Sequence, residues 1–75
     1  MTHDNFLQAL RAFTRRKRFK TFLIELNSGD RLQVSHPEAV TLRGNFFVFT
    51  DPKSRYRLFD ASSVGQVLDV LSDNS

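Results

Sequence analysis

The chain has 75 residues, eleven of them Lys or Arg and eight Asp or Glu, with a formal net charge of +3 and no cysteine. A domain this small gains only about 3–5 kcal/mol from its core and leans on disulfides, a metal or a partner subunit. Disulfides are excluded, and His3 and His36 have no thiolates to complete a structural zinc site, so self-association remains as the stabiliser. There is no run of about 20 apolar residues that would cross a membrane and no apolar leader, and the expectation is a soluble, cytoplasmic protein.

The first predicted element is a helix. Phe6, Leu10 and Phe13 recur at i, i+4 and i+7 with Leu7 beside them, which gives residues 5–13 one apolar stripe. The helix is expected over about residues 5–16. Asp4 is the expected N-cap, because its carboxylate accepts from free backbone N–H groups at the positive end of the dipole. Arg11, Arg15 and Arg16 fall near the C-terminal end, where cations are favoured.

A basic segment follows. Six of the eleven basic residues, Arg11, Arg15, Arg16, Lys17, Arg18 and Lys20, lie within ten positions. The first twenty residues carry a charge balance of +5 and the remaining fifty-five a balance of −2. Charge concentrated at one end of a small domain suits a polyanionic partner, since clustered fields attract phosphate better than scattered ones. The alternative is a solvated tether that serves solubility alone.

From Phe22 the period becomes two. Phe22, Ile24 and Leu26 alternate with Leu23 and Glu25, and Asn27-Ser28-Gly29-Asp30 makes a turn with Gly29 at a positive φ. Leu32 and Val34 form the returning arm. His36-Pro37-Glu38 breaks it, since proline cannot donate to a ladder and holds its predecessor extended. Residues 40–42 resume a strand, Arg43-Gly44-Asn45 turns, and Phe46-Phe47-Val48-Phe49 is expected to be covered on both faces. Pro52 marks a third turn before Arg55 to Phe59 alternate again. Asp60-Ala61-Ser62-Ser63 reads as a tight connection of about one helical turn. Residues 64–71 suit either a strand or a short helix, and the tail from Asp69 is expected to fray.

A helix followed by about five short strands with Gly and Pro turns points to a mainly β domain. Its most compact form is a strongly bent, five-stranded antiparallel barrel over about residues 21–71, with the helix plugging one open end. Its expected inward face is Phe22, Ile24, Leu26, Leu32, Val34, Val48 and Leu58.

The helix Phe6-Leu7-Gln8-Ala9-Leu10-Arg11, the basic stretch, and then Phe22-Leu23-Ile24-Glu25-Leu26-Asn27-Ser28-Gly29-Asp30-Arg31-Leu32-Gln33 together resemble the opening of Sm-like proteins of the Hfq type. The order of elements matches over roughly residues 5–70, which implies a small Sm- or SH3-like barrel that assembles with copies of itself and binds RNA. The spacing Phe19-x-x-Phe22-x-Ile24-x-Leu26-x-x-Gly29, with His36-Pro37-Glu38 after it, is also similar to that of a group of short uncharacterised bacterial proteins. Two departures from the Hfq pattern stand out. Its aromatic-Lys-His-Ala sequence is replaced by Leu58-Phe59-Asp60-Ala61, and the aromatic residue of its first strand by Glu25. The resemblance therefore implies the arginine-rich rim, with Arg11, Arg15, Arg16, Lys17 and Arg18 in that role, and not the base-specific pockets.

No Gly-rich phosphate loop, His–Cys pair or Gly-x-Ser-x-Gly elbow is present, so neither an enzyme nor a cofactor is expected. The binding segment is Arg11, Arg15, Arg16, Lys17, Arg18 and Lys20, contacting RNA phosphates with little sequence preference. Phe13, Phe19 and Tyr56 are the candidate stacking residues, each with Arg or Lys close in sequence. A module that pairs an exposed strand edge with a protein partner is the alternative function.

Overall fold

The structure, a computed structural model, describes residues 1–70. Helix α1 spans His3–Thr14. Its N-cap is Thr2, not Asp4: the Thr2 hydroxyl accepts from the Asn5 N–H at 3.1 Å, and Asp4 lies in the first turn, where its charge still complements the dipole. The C-terminal end comes two residues earlier than expected. Arg15 has already left helical geometry (φ −98°, ψ 10°), and the Thr14 hydroxyl donates back to the Leu10 carbonyl at 2.9 Å.

The rest of the described residues form a mainly β arrangement of six strands in two three-stranded antiparallel sheets. In the first sheet β1 (Phe22–Leu26) runs between β2 (Arg31–Val34) and β6 (Val64–Asp69). In the second, β4 (Phe46–Thr50) runs between β3 (Val40–Arg43) and β5 (Tyr56–Phe59). The expected closed five-stranded barrel is corrected to this pair of sheets. The division falls at residues 35–39, where Pro37 has no amide to offer a ladder and the Ala39 N–H donates to the His36 carbonyl in a turn. The chain leaves the first sheet there and starts the second.

A 3-10 turn, Ala61–Ser63, returns the chain to β1, and residues 64–69 are strand rather than helix. Asp69, expected to begin a frayed tail, is paired with Phe22; residues 71–75 of that expected tail lie outside the described residues. The ladder between β1 and β6 shifts register at Glu25/Leu26. Gly65 sits beside that irregularity, where a Cβ would come within 3.1 Å of the Asn27 side-chain oxygen. In the β1–β2 turn Gly29 takes φ +97°, which a side chain would strain.

Apolar burial follows the alternation. Phe22, Ile24, Leu26, Leu32 and Val34 turn inward as their spacing predicts. The second sheet is one residue out from expectation: Phe47, Phe49 and Phe59 are buried, Val48 is half-buried, and Leu58 is 64% exposed. Nor is β4 covered on both faces, for Phe46 is 52% exposed. An unbroken apolar run has no phase of its own, and the helix sets it from outside. Phe6 meets the rings of Phe47 and Phe59 edge-on at 4.7 and 5.7 Å, while Phe13 stacks on Phe22 at 4.9 Å. The helix thus lies along one side of the sandwich and touches both sheets. Among the described residues nothing covers the opposite face of β3–β4–β5, where Phe46, Tyr56 and Leu58 are exposed.

This register makes a direct prediction. Ile24→Ala should cost about 2–5 kcal/mol through lost burial and a cavity, whereas Leu58→Ala should change stability by no more than about 0.5 kcal/mol. Urea titration of the two variants checks the phase of both sheets at once.

Candidate nucleic-acid interface

The basic segment is the end of α1 and the connector that carries the chain from Thr14 to Phe22. Arg11 is on an exposed position of the last helical turn, and Arg15, Lys17, Arg18 and Lys20 stand outside the core, all four exposed. No carboxylate among the described residues lies within ion-pair distance of these five. Arg16 differs. Its Nε donates to the Phe13 carbonyl at 3.3 Å, one terminal nitrogen to the Lys20 carbonyl at 3.0 Å, and the other to both oxygens of Asp69 at 3.0 Å. The guanidinium also lies over the Phe13 ring, 4.9 Å from its centroid.

Elsewhere the arginines are largely neutralised. Arg31 pairs with Glu25 at 3.0 Å, Arg55 with Asp51 at 2.9 Å and Arg57 with Asp30 at 2.8 Å. The last pair links β5 to the β1–β2 turn and so ties one sheet to the other. These contacts hold the carboxyls below their ordinary range. Glu25 is lowered first by the Gln66 amide and then by Arg31, and Asp30 by Arg57. Asp51 is lowered first by the Arg55 backbone N–H, and Asp60 by the Ser63 hydroxyl. Glu25 is engaged by its two cross-strand neighbours, Arg31 and Gln66. Outside the basic segment only Arg43 and Lys53 among the described Lys and Arg side chains have no carboxylate partner.

The stacking candidates divide. Phe13 and Phe19 pack against Phe22, at 4.9 and 6.1 Å between ring centroids, and are partly buried there. Phe13 stacks face to face on Phe22 and Phe19 meets it edge-on, so both take part in the joint at the start of β1. Tyr56 is 72% exposed, but it belongs to β5 in the second sheet, on the outward face that also carries Phe46, Val48 and Leu58. The structure therefore gathers the cations into one connector and leaves the open aromatic ring on another element. A groove of about 550 Å³ is lined by Phe46 and Leu58 together with Leu26, Asn27, Asp60 and Ser63.

Asp69 is the contributor that the sequence conceals. It stands 53 positions from Arg16, and no local pattern joins the two. Among the described residues no group of three or more His, Asp or Glu side chains is placed to hold a metal ion, and no helix is long and apolar enough to cross a membrane. No family model, curated protein or solved structure matches the chain.

The ion pairs predict an acid response. A carboxyl whose folded pKa is depressed contributes stability that is present above its unfolded value and is lost as pH falls through the folded value. Stability should therefore hold level down to about pH 5 and decline below about pH 4. Asp51→Asn should flatten part of that decline. Urea midpoints measured across this range for parent and variant give the comparison.

Proposed function

We propose that this chain is a small Sm-like β domain that binds single-stranded RNA through phosphate contacts from Arg11, Arg15, Lys17, Arg18 and Lys20. The observation that carries the reading is the division of charge. Arg31, Arg55 and Arg57 are paired with carboxylates, while five cations of one segment have no carboxylate partner among the described residues. Such a surface supplies affinity without base readout, in keeping with Glu25 and Asp60 standing at the positions of the base-specific pockets. The Sm-like part of the reading draws on strand order. If β2 and β3 are taken as one strand bent at residues 35–39, the domain has a helix and five strands, the last returning through a 3-10 turn to pair with the first. The reading is of a cytoplasmic binding module, not an enzyme.

Self-association is part of the proposal. Among the described residues the outer edges of β5 and β6 have no neighbouring strand, and unpaired edges are a liability that assembly removes. Light scattering at high micromolar concentration should return a multiple of the 8.7 kDa chain mass; a strict monomer would count against assembly.

For the binding surface, reversing the charge of Arg15 and Arg18 together should weaken binding to all single-stranded RNA sequences alike. It should also make the plot of log affinity against log salt shallower by about 0.7 for each phosphate that is no longer neutralised. Wild-type protein that retains no RNA at low salt would rule out the RNA reading. A second reading, a protein-interaction module, is favoured by the uncovered face bearing Phe46, Tyr56 and Leu58.

A further inference from the structure

The connector from Arg15 to Thr21 has no helix or strand of its own, yet one side chain holds it at three points. Arg16 reaches backward to the Phe13 carbonyl, forward to the Lys20 carbonyl and sideways to the Asp69 carboxylate. Asp69 is a firm anchor, since it is the last residue of β6 and lies opposite Phe22, the first residue of β1. The fastening is thus made where the connector enters the sheet. All three nitrogens of the guanidinium are engaged, the Phe13 ring covers one face of the group, and the side chain is 24% exposed. Its neighbours Arg15, Lys17 and Arg18 are exposed. A planar fork of five N–H donors reaches three such acceptors in three fixed directions; a lysine ammonium offers three donors from one point on a flexible stem.

We infer that Arg16 is a positioning residue and not a phosphate ligand: with Asp69 as its anchor it closes the connector into a fixed loop, which presents Arg15, Lys17, Arg18 and Lys20 to a polyanion. What the loop presents its cations to rests on the RNA reading, whereas the clamp itself rests on the hydrogen bonds. An unfastened connector would have to be ordered each time a ligand binds, and that ordering subtracts from affinity. A phosphate-contacting arginine acts differently, since its removal changes the number of ions released. Salt dependence therefore separates the two roles.

The experiment compares the wild type with Asp69→Asn and Arg16→Gln. Each protein is measured for backbone amide exchange without ligand, and for binding to a labelled oligouridine over a series of salt concentrations. Both substitutions are at the surface, and exchange of the β1 amides reports whether the fold is retained. With the clamp as inferred, amides of residues 17–21 exchange faster in both variants while β1 is unchanged. Affinity then falls about tenfold at an unaltered salt slope. Three results overturn the inference: tighter binding by Asp69→Asn, a slope shallower by about 0.7 in Arg16→Gln, or unchanged exchange over residues 17–21. The first two would make Arg16 a phosphate ligand held in reserve beneath Asp69. If the wild type binds no oligouridine at any salt, the RNA reading fails, and amide exchange still decides whether Arg16 orders the connector.

Discussion

Two small sheets with no disulfide between them are joined by phenylalanine. Phe6 reaches the rings of Phe47 and Phe59 from the helix, Phe13 meets Phe22, and Phe47 stacks on Phe59 at 5.7 Å. Each ring buries a large apolar surface and has no polar atom to satisfy, so these contacts fit where a tyrosine or tryptophan would need a hydrogen-bond partner. The joint also decides direction. A helix laid across both sheets on one side fixes which face of β4 is inside, and thereby leaves Phe46, Tyr56 and Leu58 outside.

Charge is arranged on the same frame. Cross-strand placement sets Glu25 between Arg31 and Gln66, and the Arg57–Asp30 pair bridges the sheets. Exposed pairs of this kind add little stability. Their larger effect is to cancel charge over the β surface. Among the described residues the connector between α1 and β1 is not so cancelled. Its position in the fold, entering at the edge of the Phe22–Asp69 pair, lets a single carboxylate organise it through Arg16 while its other cations stay open to solvent.

The binding reading and the interaction reading draw on different surfaces. One uses the cations of residues 11–20, and the other uses the uncovered face of β3–β4–β5. Tyr56 is the only expected stacking residue on that face; Phe13 and Phe19 are committed to the joint. A single-stranded ligand that met both surfaces would have to pass from the connector to the second sheet, because no aromatic face stands free within the connector itself.

The sequence by itself determined the mainly β class, the helix stripe of Phe6, Leu10 and Phe13, the inward phase of β1 and β2, the turns at Gly29, Gly44 and Pro52, and the concentration of cations before residue 21. All of these are local. Period, φ requirement and net charge are written into neighbouring residues. Only the tertiary structure decided the phase of β4 and β5, because an apolar run such as Phe46–Phe49 looks alike from either face until Phe6 packs against one of them. It also decided that the strands form two sheets instead of one closed barrel, a consequence of where the chain emerges from the turn at Pro37. The role of Arg16 was decided there too. Its sequence neighbours are basic and give it the look of one more surface cation, while its carboxylate lies on the last strand and reaches it only once β6 has paired with β1.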